Sequence, residues 1–300
     1  MRRKVRGTGD PGGDLKNHRT TNGVVTPFER GEVHMKNRSV CAAAAVLGLV
    51  LSAGCGKDYA SDTTPYQRAD LTRGGRLFDN WMKEKGVTPT AANPGYLLTK
   101  GTSKSITASW RCNECHGWDY RGVDGAYATG SHFTGVQGLL EAQGDPPEHL
   151  FAVVQGGSEA KGMTAFGVKQ SFTDEDIWDI VKFIKEGTVD LSGRIDLATG
   201  KPITGDAARG KELYEKGLPG TNVYQTCTYC HGSDGRRINF HTAPQAPEYL
   251  GSVAENAFQF THHVRFGYSG GVLMPAYHDR GWTVDNVMDV LAYVQTLPAQ

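Results

Sequence analysis

Two runs of five residues constrain this chain more than anything else in it. They are Cys112-Asn113-Glu114-Cys115-His116 and Cys227-Thr228-Tyr229-Cys230-His231, and both read C-x-x-C-H. Thiols at i and i+3 lie on one side of a helical turn, and the His that follows presents a ring nitrogen beside them. This is the attachment signature for a c-type haem: the thiols add to the two vinyl groups and the His becomes the proximal iron ligand. A four-Cys zinc site, a thioredoxin-like redox pair or disulfides would also use paired Cys. None of them requires His directly after the second Cys, twice. Cys112, Cys115, Cys227 and Cys230 are therefore candidate attachment residues for two covalently bound haems. His116 and His231 are the candidate proximal ligands.

The other two Cys, Cys41 and Cys55, lie in a segment of a different kind. Residues 1–34 are rich in Gly, Thr and Arg and show no apolar period. They read as a disordered leader, or as sequence upstream of a true start at Met35. From Met35 the order is Lys36 and Arg38, an apolar run from Val40 to Ala53, then Ser52-Ala53-Gly54-Cys55. That is the layout of a secretory signal over residues 35–54. Its small residues ending in Cys resemble a bacterial lipobox, which makes Cys55 the candidate lipidation site. The apolar run has 14 residues, short of the roughly 20 that a membrane-crossing helix needs. Residues 55–66 read as a tether. The expected product is exported, periplasmic and lipid-anchored. Gly56 and Lys57 lack the Asp that commonly retains lipoproteins at an inner membrane, which leans the expectation towards an outer one.

Charge narrows the partners. The whole chain balances 32 Lys and Arg against 32 Asp and Glu, so no basic excess points to nucleic acid. From Cys55 onwards the count is 23 basic against 28 acidic residues. Such an excess favours partners with a basic docking patch. The hydrophobic fraction of 38% rises to about 51% when the 39 Gly are counted, which is that of a globular chain and excludes one that is disordered throughout.

The sequence repeats around the two motifs. Arg73-Gly74-Gly75-Arg76-Leu77-Phe78 matches Arg209-Gly210-Lys211-Glu212-Leu213-Tyr214 at an offset of 136, and the C-x-x-C-H runs follow at 115. Met163 and Met274 are offset by 111, and Thr173 to Ile184 matches Thr283 to Val294 at 110. Ile177, Ile180, Val181 and Ile184 form one apolar stripe of an amphipathic helix, as do Val287, Val290, Leu291 and Val294. Thr173 with Asp176 predicts a capping box. Gly74 and Gly210 sit inside predicted helices, where Gly is costly, so a close helix approach is expected there. The first half carries about 21 extra residues within Glu84 to Ser109. With Pro89, Pro94, Gly95 and Gly101, this insert reads as a surface loop. Residues 191–202, with Gly193, Gly200 and Pro202, read as a linker between domains at 67–190 and 203–300.

Together these features resemble class I cytochrome c, in tandem, over nearly all of the chain beyond the tether. The family shows an opening helix with Gly and an aromatic, C-x-x-C-H, a Met ligand in a loop, and a closing helix that crosses the first. This chain shows all four elements twice. The resemblance implies an all-α fold, with a few helices wrapped around one haem in each domain. It also implies a Met ligand on the far face of each iron. Met163 and Met274 lie in the matching loops, whereas Met82 and Met288 lie in predicted helices. His132 in the first half, and His262, His263 and His278 in the second, are the rival ligands. His/Met ligation raises the potential, so the expected function is electron transfer between redox partners outside the cytoplasm. The alternatives are a dihaem peroxidase, a dihaem thiosulfate dehydrogenase and the cytochrome subunit of a larger oxidoreductase. The thiosulfate enzyme of known type needs a further Cys ligand, and here every Cys beyond Cys55 is used by the two motifs.

Overall fold

The computed structural model describes residues 63–96, 105–167, 170–271 and 274–299, all within one compact unit, Tyr59–Gln300. The leader, the signal and Cys55 lie outside the described residues. Among the described residues, eight α-helices of five or more residues carry the architecture: α1 (Leu71–Lys85), α2 (Cys112–His116), α3 (Pro147–Gly156), α4 (Asp174–Lys182), α5 (Ala207–Lys216), α6 (Cys227–His231), α7 (Ala257–Phe266) and α8 (Val284–Val294). Short 3₁₀ turns and loops join them. Among the described residues, extended pairing is limited to three isolated bridges. No described helix is long and apolar enough to cross a membrane.

The same helix pair opens and closes each half. Asp70 caps α1 by accepting from the Arg73 N–H at 2.9 Å, and Asp206 caps α5 through the Ala208 N–H at 2.8 Å. Each capping residue gives its own N–H to an Asp on the closing helix: Asp70 to Asp179 at 2.7 Å, Asp206 to Asp289 at 2.9 Å. The closing helices begin with capping boxes, Thr173 with Asp176 and Thr283 with Asn286. A Cβ built on Gly74 would stand 2.0 Å from the Asp179 carbonyl oxygen, and one on Gly210 would stand 1.9 Å from that of Asp289. The two Gly are therefore where the helices cross, backbone against backbone.

Two hydrophobic clusters result. The first gathers Leu77, Phe78, Trp81, Ile177, Val181 and their neighbours; the second gathers Leu213, Tyr214, Val287, Leu291 and theirs. Leu191 and Ile195, inside the stretch expected as a linker, are buried in the second cluster. After α4 the chain widens into a π turn, Phe183–Gly187, so that Phe183 and Ile184 both face the core. The Thr188 hydroxyl donates to the Ile184 carbonyl at 2.8 Å and holds that turn.

The halves also meet each other. On α7, Phe260 and Val264 belong to the second cluster, while Phe266 is buried in the first. Phe266 stands 5.2 Å from Phe183, ring to ring. A Cβ on Gly75 would strike Phe266 at 2.5 Å. Gly74 thus admits the closing helix, and its neighbour Gly75 admits the other half.

Candidate functional site

The first motif is positioned by a break in α1. Asn80 leaves helical geometry (φ −155°, ψ 80°), which frees the carbonyls just before it. The Asn113 side chain donates to the Asp79 carbonyl at 2.8 Å, and Arg111 Nε donates to the same oxygen at 2.8 Å. The turn Cys112–His116 therefore sits on the end of the opening helix. In the second half the anchor differs: Tyr214 of α5 donates its hydroxyl to the Gly232 carbonyl at 2.7 Å, just beyond Cys227–His231.

Each motif faces its own cavity. Cys112, Cys115, His116 and Met163 line one of about 50 Å³. Cys227, Cys230, His231 and Met274 line another of about 420 Å³, walled by Leu250 and Val290. None of these four Cys is in a disulfide, and burial raises the Cys112 thiol to about 12 and the Cys227 thiol to about 11. Because the pairs lie in separate cavities, they do not combine into one four-Cys zinc site.

The imidazoles suit iron coordination. Burial lowers the pKa of His116, and it takes His231 down to about 4. Both rings are therefore neutral, as metal ligation requires. The His116 Nδ1–H donates to the Gln137 carbonyl at 2.8 Å, leaving Nε2 as the nitrogen with a free lone pair. His231 Nδ1 is buried with no partner among the described residues. Paired thiols, a neutral imidazole and a mostly apolar lining in each half make a donor set and surroundings that suit a covalently bound haem.

The methionine loops match in their hydrogen bonding. The Phe166 N–H donates to the Val154 carbonyl and the Tyr277 N–H to the Val264 carbonyl, each at 3.0 Å. The rival ligands lie elsewhere. His132 stacks on Tyr127 at 4.9 Å, with about half of its side chain exposed. His262 and His263 are buried between the halves, and His278 sits beside Asp279 at the surface.

The insert departs from the expected surface loop. Asn93 and Tyr96 are buried and line the first cavity beside Met163. Trp110 Nε1 donates to the Ala91 carbonyl at 2.7 Å and ties the insert down. Residues 97–104 of the insert lie outside the described residues.

Between the halves runs a contact that the sequence reading missed. Asp79 pairs with Arg111 in its own half, accepts from the Ser269 hydroxyl at 2.6 Å, and lies 3.5 Å from His263 Nε2. Burial alone would raise the Asp79 carboxyl, but His263 and Arg111 hold it below the usual carboxylate range. Trp118, two residues beyond His116, stands 5.4 Å from His263, which stands 4.9 Å from Tyr268, ring to ring. Tyr268 lines the second cavity. One signal in the sequence pointed here: the first half has Gly74-Gly75 where the second has Gly210-Lys211.

The chain matches the family model described as cytochrome c oxidase, cbb3-type, subunit III, at residues 102–184 and 205–294. No curated protein matches it. Among solved structures, it is similar to a chain of a reducing HAO-like protein complex from Kuenenia stuttgartiensis, at 16% identity and a TM-score of 0.25, covering 69% of this chain and 96% of that one. It is also similar to reduced recombinant cytochrome c4 from Pseudomonas stutzeri, at 20% identity and a TM-score of 0.22, covering 62% of this chain and 93% of that one. The two family segments span more than half of the sequence, and each holds one C-x-x-C-H motif. The chain belongs to this cytochrome c family, as an all-α tandem of two cytochrome c domains with two covalently attached c-type haems.

Proposed function

We propose that the protein is a dihaem electron carrier working between redox partners outside the cytoplasm, with both irons held by His and Met. Cys112 and Cys115 make the thioether links in the first domain, with His116 and Met163 as iron ligands. Cys227 and Cys230 make them in the second, with His231 and Met274. The observation that carries this reading is the pairing, in each cavity, of one C-x-x-C-H turn with one Met from a matched loop. When bound, the haem iron takes up and releases one electron between its ferric and ferrous states.

The protein groups supply the rest. The cavity linings are mainly apolar, the neutral imidazoles are ready to bind metal, and a thioether favours the reduced state. With protein on both faces of each iron, the design leaves substrate no open position, which favours a carrier over a peroxidase. The contact through Trp118, His263 and Tyr268 supports electron exchange between the halves. The acidic excess beyond Cys55 suits partners with a basic docking patch. The signal-like segment and Cys55 support export, with a lipid anchor holding the protein at a membrane.

Near-infrared magnetic circular dichroism of the oxidised, haem-loaded protein tests the ligation. Two low-spin His/Met signatures are expected. One high-spin or bis-His haem would overturn the symmetric assignment and bring the peroxidase reading forward.

A further inference from the structure

The insert over the first cavity is bonded to the methionine loop, and the bonds have a counterpart in the second domain made from different residues. The loops read Met163-Thr164-Ala165-Phe166 and Met274-Pro275-Ala276-Tyr277. In the second, the Tyr277 hydroxyl donates to the Gln225 carbonyl at 2.9 Å, fastening the loop to the segment just before Cys227. Phe166 stands at the matching place in the first loop and has no hydroxyl to offer. Thr164, where the second loop has Pro275, takes over. Its hydroxyl donates to Asn93 Oδ1 and accepts from the Gly95 N–H at 3.1 Å.

The anchor on the insert side is itself fixed. Asn93 Oδ1 also accepts from the Gly95 N–H at 2.9 Å, and the Asn93 N–H donates to the Ser109 hydroxyl at 3.0 Å. A Cβ on Gly95 would lie 2.2 Å from the Gly162 carbonyl oxygen, the residue before Met163. The insert therefore lies backbone against backbone on the methionine loop, and only Gly allows that approach.

We propose that residues 86–96 form a strap whose Asn93 and Gly95, through Thr164, position Met163 and hold it against replacement by an external ligand. The proposal rests on Met163 being an iron ligand. Thr164, Asn93 and Gly95 are positioning residues, acting on the iron only through the loop. Breaking two hydrogen bonds of modest net worth should ease displacement of Met163 by about tenfold.

The test is imidazole titration of the oxidised holoprotein, following the iron–methionine charge-transfer band. The hyperfine-shifted methionine methyl resonances of the oxidised protein separate the two domains. Wild-type spectra must first show methionine on the first iron; if they do not, the ligation reading and the strap proposal both fail. Given that signature, Thr164→Val should bring displacement at the first domain to about a tenfold lower imidazole concentration. Thr164→Ser, which keeps the hydroxyl, should behave as wild type. Gly95→Ala leaves Thr164 intact and should act like Thr164→Val, and it carries the test if Thr164→Val does not fold. Tyr277→Phe should shift the second domain alone. Unchanged imidazole midpoints in Thr164→Val or Gly95→Ala, even with a lowered melting temperature, would overturn the proposal and leave the strap a structural brace.

Discussion

The Tyr120 hydroxyl of the first domain donates to Nδ1 of His262 in the second at 2.7 Å. The same ring donates from Nε2 to the Gly75 carbonyl at 2.9 Å. Both nitrogens are thus used by the other domain, and a single neutral tautomer satisfies them. Helix α7 presents this ring and Phe266 to the first domain while Phe260 and Val264 face its own core. His262 is therefore a bolt between the halves. His262→Ala removes the ring and leaves a buried hydroxyl and a buried carbonyl unpaired, which should cost about 3 kcal/mol. Thermal melts of the holoprotein should show a lower midpoint, with the two domains unfolding less cooperatively. An unchanged melt would refute the assignment.

The same ring gives the interface a pH dependence of definite sign. Burial takes the His262 pKa from 6.5 down to about 3. Between those values the unfolded chain binds a proton that the folded chain refuses. Its contribution is therefore complete above pH 6.5 and is lost progressively as the pH falls from there towards 3. The melting temperature should drop over that window, and more steeply than in His262→Leu, which has nothing to protonate. Equal slopes in the two proteins would assign the pH effect to other groups.

Gly74 and Gly210 test the helix crossings separately. At an ordinary exposed helix site, Gly→Ala stabilises by about 1 kcal/mol. Here the added methyl would meet a backbone carbonyl at 2.0 or 1.9 Å, and backbone cannot swing aside as a side chain can. The sign should reverse, with a loss of about 3 kcal/mol as the closing helix is pushed off. Gly210→Ala should damage only the second domain, as read from the haem spectra during thermal unfolding. A gain in stability from either variant would contradict the crossing geometry.

Much of this architecture was legible in the sequence because it is written in local spacing. The i, i+3, i+4, i+7 stripes gave both closing helices, Thr173 with Asp176 gave a cap, and Gly74 and Gly210 gave the crossings. The interface was not legible, because Tyr120 and His262 are 142 residues apart and nothing local marks either one. Helix α7 hid for a related reason: its apolar residues face two cores, so no single stripe stands out. The insert misled because Pro and Gly suggest exposed loop, whereas Asn93 and Gly95 are there for a tight approach to residue 162.

The proposed lipid anchor has its own test, resting on the small residues that end in Cys55. Cys55→Ser should leave both haems in place and move the protein from the membrane fraction to the soluble periplasmic one. A retained signal used as an anchor would keep Cys55→Ser on the membrane, and so would refute lipidation at this position. The mass of the native N-terminus, read beside it, should show residues before Cys55 removed.

With His116 and His231 as the proposed proximal ligands, the two irons should differ in potential, and the hydrogen bonding of these rings says in which direction. The His116 Nδ1–H donates to the Gln137 carbonyl at 2.8 Å, whereas His231 Nδ1 has no partner among the described residues. A ring that donates from Nδ1 is the stronger electron donor from Nε2, and a stronger donor favours ferric iron. The first domain should therefore have the lower potential. A hydrogen bond worth about 1 kcal/mol corresponds to a split on the order of 40 mV for one electron. At equilibrium a single electron would rest mainly in the second domain. A potentiometric titration followed by the domain-resolved methionine resonances measures both values. Met274→His supplies a control, since replacing the thioether should lower the second potential alone. Finding the first domain at the higher potential would mean that something other than the proximal hydrogen bond sets the order.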